Sequence, residues 1–192
     1  LHLDFGPDTS EMTIEHVCRR ADAHGWGGRV AVGHVTRFAQ MARPDFAALT
    51  RRLRDAGVAV TVLPATDLFL RHREHAANHS VPRGVTPLHL MAAEGVRCPL
   101  STNNVLNPFT PFGDCSLIRM ANLYANVAQI GDRAGMTACL DMVSAGSARL
   151  MNLADYGVAE GAPADLVVID ATDPALAVAE LAQPMHGFKG GR

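Results

Sequence analysis

Two histidines stand at the ends of short strand-like runs: His2 within residues 1–5, and His34 at the close of residues 29–34. Neutral imidazole is a good ligand for borderline divalent cations, and one histidine from each of two adjacent strands suits zinc or iron. Such a cation lowers the pKa of water towards neutrality and so supplies a nucleophile. Residues two apart on a strand share a face, so Asp4 is expected to project beside His2. There it can act on a proton, fix the His2 ring or bond a backbone N–H. Thr66 and Asp67 follow a third strand-like run, and Thr102, Asn103 and Asn104 follow a fourth.

These residues meet only if the elements carrying them are neighbours. Gly6 and Pro7 break the first run, Thr9 or Ser10 can cap a helix to about His24, and Gly25, Gly27 and Gly28 end it. Pro44 opens a second helix running to Ala56, consistent with proline in the first helical turn, and Gly57 stops it. Residues 58–63 read as a strand with β-branched alternate positions. Residues 68–83 read as a long polar loop, 85–94 as a helix and 96–100 as a strand. Helical spacing follows at 114–130 and 137–150, and 165–169 reads as a last strand.

Strands alternating with helix-length segments argue for βα units on a parallel sheet. Four such units are half of an eight-stranded (β/α)8 barrel of the TIM type, in which chemistry collects at the C-terminal strand ends. An open doubly wound sheet is the rival. No glycine-rich phosphate loop follows any strand, which argues against a dinucleotide site. Half a barrel leaves strand edges and apolar surface open. The remainder of the chain or another subunit is therefore expected to complete it, and a homo-oligomer is expected.

The chain has 192 residues, 48% hydrophobic and 19% charged, with a formal net charge of −2. That is enough for a buried core, and it offers no basic surface for nucleic acid. The clusters Arg51-Arg52-Leu53-Arg54 and Arg71-His72-Arg73 read as solvated faces. No apolar run reaches the roughly 18 residues that a membrane helix needs. No basic segment followed by an apolar core marks a secretory leader. Cys18, Cys98, Cys115 and Cys139 are scattered without a CxxC pair and read as buried free thiols, which points to the reducing cytoplasm. The sequence opens at Leu1 inside a strand-like run, so a processed chain or part of a longer one is expected.

Several segments together resemble the amidohydrolase superfamily, in its cytosine deaminase-like branch. His2-Leu-Asp-Phe5 is similar to the fifth-strand segment His-x-Asp-Glu, and Val32-Gly-His34-Val-Thr36 to the sixth-strand segment Ser-His-Thr-Thr. Leu100-Ser-Thr-Asn-Asn-Val-Leu-Asn-Pro-Phe109 resembles the eighth-strand segment Gly-His-Asp-Asp-Val-x-Asp-Pro-Trp. Arg149-Leu-Met-Asn-Leu-x-x-Tyr-Gly157 and Gly161-Ala-Pro-Ala-Asp165 resemble the family's return into a small β-sandwich domain. The resemblance implies that residues 1–152 form the C-terminal half of the barrel and 153–192 a segment of the small domain.

It further implies a metal-dependent hydrolase acting on a non-peptide C–N bond, often of a nitrogen heterocycle. His2 is implied as a metal ligand. His34 is implied as a ligand, or as the group that polarises a substrate carbonyl or developing oxyanion. The family's proton-shuttling glutamate falls at Phe5 and its eighth-strand aspartate at Asn103. An amide oxygen can coordinate, but an amide takes no proton at neutral pH. Asp4 is the first candidate to replace the lost carboxylate, with Asp67 and Glu11 behind it. Cytosine itself is then a doubtful substrate. The alternative is a catalytically impaired relative that keeps the scaffold for binding or assembly. His72, His75 and His79 have helical spacing, but Asn78, Ser80 and Pro82 make a solvated loop over the pocket the favoured reading.

Overall fold

The computed structural model describes residues 1–6, 8–72 and 83–192. Three parallel strands lie side by side in the order β1 (His2–Leu3), β2 (Val30–His34) and β3 (Val58–Thr61). The register pairs Leu3 with His34, and Val30, Ala31, Val32 and Gly33 with the four residues of β3. Beyond β3, Val62 and Leu100 form one parallel bridge, so the segment expected as a strand at 96–100 does join the sheet. It stops short of a regular strand because Pro99 has no N–H to donate to the ladder.

Helices connect the strands. α1 (Thr13–Ala23) turns Ile14, Cys18 and Ala21 inward, a stripe of i, i+4 and i+7 spacing. α2 (Arg43–Asp55) begins with Pro44 in its first turn and buries Leu49, Thr50 and Leu53. A short 3-10 helix, Thr36–Gln40, precedes it. The turn after α2 needs glycine at 57: its φ is +63°, and a Cβ there would lie 2.8 Å from the Gly28 nitrogen. The core is built on Val32, Val58, Val60, Val62 and Leu100 of the sheet, covered by Ile14, Leu53 and Leu88.

Three expectations shift. A helix, α3 (Pro64–Leu70), opens on a proline immediately after the sheet and takes in residues 68–70 of the segment expected as a loop, of which residues 73–82 lie outside the described residues. α4 (Leu88–Ala93) and α5 (Leu117–Val127) fall where helices were expected, α5 capped by the Ser116 hydroxyl. The helix expected at 137–150 is two, α6 (Arg133–Val143) and α7 (Ala145–Leu150), broken at Ser144. A Cβ at Gly146 would lie 2.9 Å from the Asp141 carbonyl oxygen, so that corner closes only around glycine. Cys18, Cys98 and Cys139 are buried as expected, but Cys115 is exposed on the loop before α5.

The last forty residues form β4 (Leu166–Ile169), α8 (Pro174–Ala179) and β5 (Pro184–Phe188). β4 and β5 pair antiparallel as a ribbon, with an irregularity between Val168 and Ile169. Asp173 caps α8 by accepting from the Ala175 and Leu176 amides. α8 packs on α5 and α6: Val178 belongs to the main core, and Asn122 Nδ2 donates to its carbonyl at 2.9 Å. Residues 174–179 therefore share the core of the segment before residue 153. The ribbon leaves Val167, Val168, Met185 and Phe188 exposed.

Candidate active site

The parallel pairing of β1 with β2 sets the two histidines against each other. Gly33 lies opposite His2 in the register. A Cβ at Gly33 would stand 3.3 Å from His2 Cδ2 and 3.5 Å from Nε2, so the ring occupies space that glycine leaves free. At the end of β2 the backbone enters the left-handed region at His34 (φ +73°) and Val35 (φ +42°). A β-branched residue there is strained, and such strain persists only where surrounding contacts hold it. Here the Val35 amide donates to the Leu3 carbonyl at 3.2 Å. The fully buried Thr86 hydroxyl lies 2.8 Å from the Val35 carbonyl and 3.2 Å from that of His34. The kink carries the His34 ring over the strand ends.

That ring is engaged at both nitrogens. Nδ1 lies 2.6 Å from Asp67 Oδ1, and Asp67, fully buried in the first turn of α3, accepts from the Leu63 amide at 3.2 Å. His34 Nε2 lies 3.1 Å from His2 Nδ1 and 3.5 Å from Asn103 Nδ2. The two imidazoles meet edge to face, centroids 4.6 Å apart at 86°. Phe5 stands edge-on to His34 at 5.6 Å. Burial lowers the pKa of His2, with the field of His34 acting the same way and Asp67 opposing it. That direction favours the neutral form of the ring, the form in which an imidazole ligates a metal.

A cavity of about 450 Å³ opens over these groups. Its walls are apolar at Leu3, Phe5, Leu70 and Phe109, and its polar groups are His2, His34, Thr66, Asn103 and Asn104. The loop bearing Asn103, Asn104 and Phe109 is held by Asn107, whose Oδ1 accepts from the amides of Phe109 and Thr110. The Thr110 and Thr66 hydroxyls join it to α3 at 2.7 Å. A larger cleft of about 550 Å³ between α1 and α2 is lined by Glu15, Arg19, Asp45 and Arg52 and lies apart from the histidines.

The structure brings together His2, His34 and Asn103, and leaves out Asp4. The alternation that put Asp4 beside His2 does not reach it, because β1 ends at Leu3 and Asp4 has φ +51°. Its two carboxylate oxygens accept from the Thr13 and Ile14 amides at 2.8 and 2.9 Å, capping α1. The Glu11 carbonyl accepts from Arg37, and Glu11 is exposed. Asn104 Oδ1 accepts from Asn107 at 2.9 Å while the residue also borders the cavity. His75 and His79 lie outside the described residues. Asp67 does reach the site, but as the partner of His34; its place in the turn right after β3 was the signal for that. Gly33 and Thr86 carried no comparable signal.

Two imidazoles suit a divalent cation in kind, and Asn103 can add an amide oxygen. A catalytic zinc site uses about three protein ligands. Among the described residues no cluster of three or more His, Cys, Asp or Glu side chains could hold a metal ion. The donors fit such a cation and supply part of its set.

Residues 1–186 match the sequence profile of the Amidohydrolase family. The chain belongs to the amidohydrolase family. This amidohydrolase chain is 28% identical over 172 residues to the pterin deaminase of Rhizobium rhizogenes (strain K84), covering 89% of itself and 39% of that protein. It superposes on 5-methylcytosine deaminase from Klebsiella pneumoniae with a TM-score of 0.90 and 25% identity, over 100% of itself and 46% of that chain. Both place it on the cytosine deaminase-like branch. An atrazine chlorohydrolase of Arthrobacter aurescens, complexed with zinc, matches at TM-score 0.60 and 22% identity, over 90% of the amidohydrolase chain and 38% of the other. The chain spans less than half the length of each of these proteins.

Proposed function

We propose that this amidohydrolase chain carries the strand-end portion of a site that hydrolyses a C–N bond of a small nitrogen heterocycle with the help of a divalent cation, zinc or iron. The observation that carries the reading is the convergence of His2, His34 and Asn103 in the lining of one apolar cavity. Membership of the family and likeness to two deaminases support it.

His2 would hold the cation through its outward nitrogen, with Asn103 Oδ1 as a further donor. When bound, the cation supplies Lewis acidity and an activated water. The chain's own residues then position substrate and handle protons. Phe5, Leu70 and Phe109 offer flat apolar walls that exclude water, and Thr66 and Asn104 offer hydrogen bonds to ring edges. Among the described residues no carboxylate lines the cavity, so His34 is the group placed to take a proton at Nε2 once its contact with His2 Nδ1 opens, and there it can donate to a developing oxyanion. A proton there is paired across the ring with the Asp67 carboxylate.

The reading places residues 1–152, together with α8 packed on them, in half of a (β/α)8 barrel, and the β4–β5 ribbon with a small β-sandwich domain. It needs further chain or another subunit to complete the barrel and the ligand set. The exposed Val167, Val168, Met185 and Phe188 of the ribbon are consistent with such a covering, and a homo-oligomer working in the cytoplasm is part of the same proposal. Among the described residues no helix is long and apolar enough to cross a membrane.

The test is ammonia or amine release from a panel of aminopyrimidines, pterins and cyclic amides by the complete protein. Turnover that disappears in His2→Ala supports the proposal. A second reading, a scaffold that binds without turnover, is favoured by Phe5 and Asn103 in place of two proton-handling carboxylates. Binding of panel compounds without product from any of them would favour it.

A further inference from the structure

Asp67 is fully buried, and among the described residues its carboxylate makes two contacts, one from each oxygen. Oδ2 accepts from the Leu63 amide at 3.2 Å, and Oδ1 faces His34 Nδ1 at 2.6 Å. An ionised carboxylate only accepts, so the hydrogen of a neutral His34 sits on Nδ1 and its Nε2 is bare. That bare nitrogen is 3.1 Å from His2 Nδ1. Two bare nitrogens cannot form this contact, so the hydrogen between the rings belongs to His2 Nδ1. His2 Nε2 is then left as a lone pair.

We propose that Asp67 is a positioning residue that sets the tautomers of both histidines in series, and so decides that His2 presents Nε2 unprotonated. The proton order runs His2 Nδ1–H to His34 Nε2, then His34 Nδ1–H to Asp67. A group that fixes which nitrogen of a ligating histidine is free controls its affinity for a cation. The proposal deepens the reading of this cluster as the reacting site and rests on it for any effect on turnover. The tautomers themselves rest on the geometry alone.

Asp67→Asn separates the two. Asparagine has one acceptor oxygen where aspartate has two. The Leu63 amide is a fixed buried donor, so that oxygen stays with it and the NH₂ group turns to His34 Nδ1. His34 must then accept there and carry its hydrogen on Nε2. In turn His2 Nδ1 must become the acceptor, and the His2 hydrogen moves to Nε2.

The experiment is long-range ¹H–¹⁵N correlation NMR on the complete, metal-free, ¹⁵N-histidine-labelled protein at alkaline pH, where both rings are neutral. Signals are assigned with His2→Asn and His34→Asn variants. The expected wild-type pattern is Nδ1–H on both rings, and the expected Asp67→Asn pattern is Nε2–H on both. Zinc affinity, measured by chelator competition, is expected to fall about 10–100-fold in Asp67→Asn. A wild-type His34 or His2 protonated at Nε2 overturns the proposal, and so does an Asp67→Asn protein whose tautomers are unchanged. Should Asp67→Asn fail to fold, the wild-type spectrum alone still decides. If the tautomers behave as stated while the complete protein neither binds metal nor turns over any substrate, the functional reading fails and the positioning role stands.

Discussion

His34 Nε2 lies 3.1 Å from His2 Nδ1, and this contact ties the ends of two adjacent parallel strands into one polar cluster. It depends on a residue that contributes no side chain. Gly33, opposite His2, leaves the space the imidazole fills.

Gly33→Ala tests that dependence. The φ of Gly33 is not in the left-handed region, so alanine fits the backbone, but its Cβ would crowd His2 Cδ2 at 3.3 Å. His2 stands at an exposed rim, so the ring gives way rather than the strand. A misplacement of this size is expected to lower kcat/KM about 10–100-fold. Stability is expected to stay within about 0.5 kcal/mol of the wild type. Steady-state kinetics beside a urea titration check both. A variant equally unstable and inactive would show that Gly33 serves the fold.

Asp4 separates stability from chemistry in the opposite sense. Its carboxylate satisfies two amides at the start of α1 and lines no part of the cavity. Asp4→Ala is expected to cost about 1–3 kcal/mol of stability. The kcat of the folded fraction should remain within about twofold, since the residue is far from the reacting atoms in role. Loss of kcat at full stability would return Asp4 to the site.

Much of the scaffold was legible because glycine and proline punctuate it. Gly57 and the β-branched run after it mark β3, and His34 at the end of β2 was visible as a strand-end group. Asp4 misled because period-two logic holds only while the strand lasts, and where β1 stops is set by tertiary pairing to β2. The link from Asp67 to His34 crosses two strands and depends on α3 starting at Pro64, where a loop was expected from residue 68. α8 had a readable start in Asp173-Pro174, but an alanine-rich run in a segment assigned to a small β domain gave no reason to expect it in the core. β5, Pro-Met-His-Gly-Phe, has no alternation to read.

Alkaline pH should destabilise the fold through its buried thiols. Burial pushes Cys98 up to about 12 and Cys139 up to about 11, from an ordinary value of 9.0. Burial moves the Tyr124 phenol in the same direction. Groups raised in the folded state contribute stability that is fully present below the unfolded pKa and is lost as pH rises through the folded one. Urea midpoints should therefore hold to about pH 9 and fall between about pH 9 and 12. Cys98→Ala is expected to flatten that decline. A midpoint that does not change over this range would contradict the burial of both thiols.

Metal content and turnover, measured together for the complete wild-type protein and for His2→Ala, put the convergence of the two imidazoles on trial. The wild type is expected to retain about one equivalent of zinc or iron and to release ammonia or amine from a heterocyclic substrate. His2→Ala is expected to lose at least about 90% of that metal and about 100-fold or more of the turnover while staying folded. A folded His2→Ala protein that keeps both its metal and its turnover would contradict the site described here.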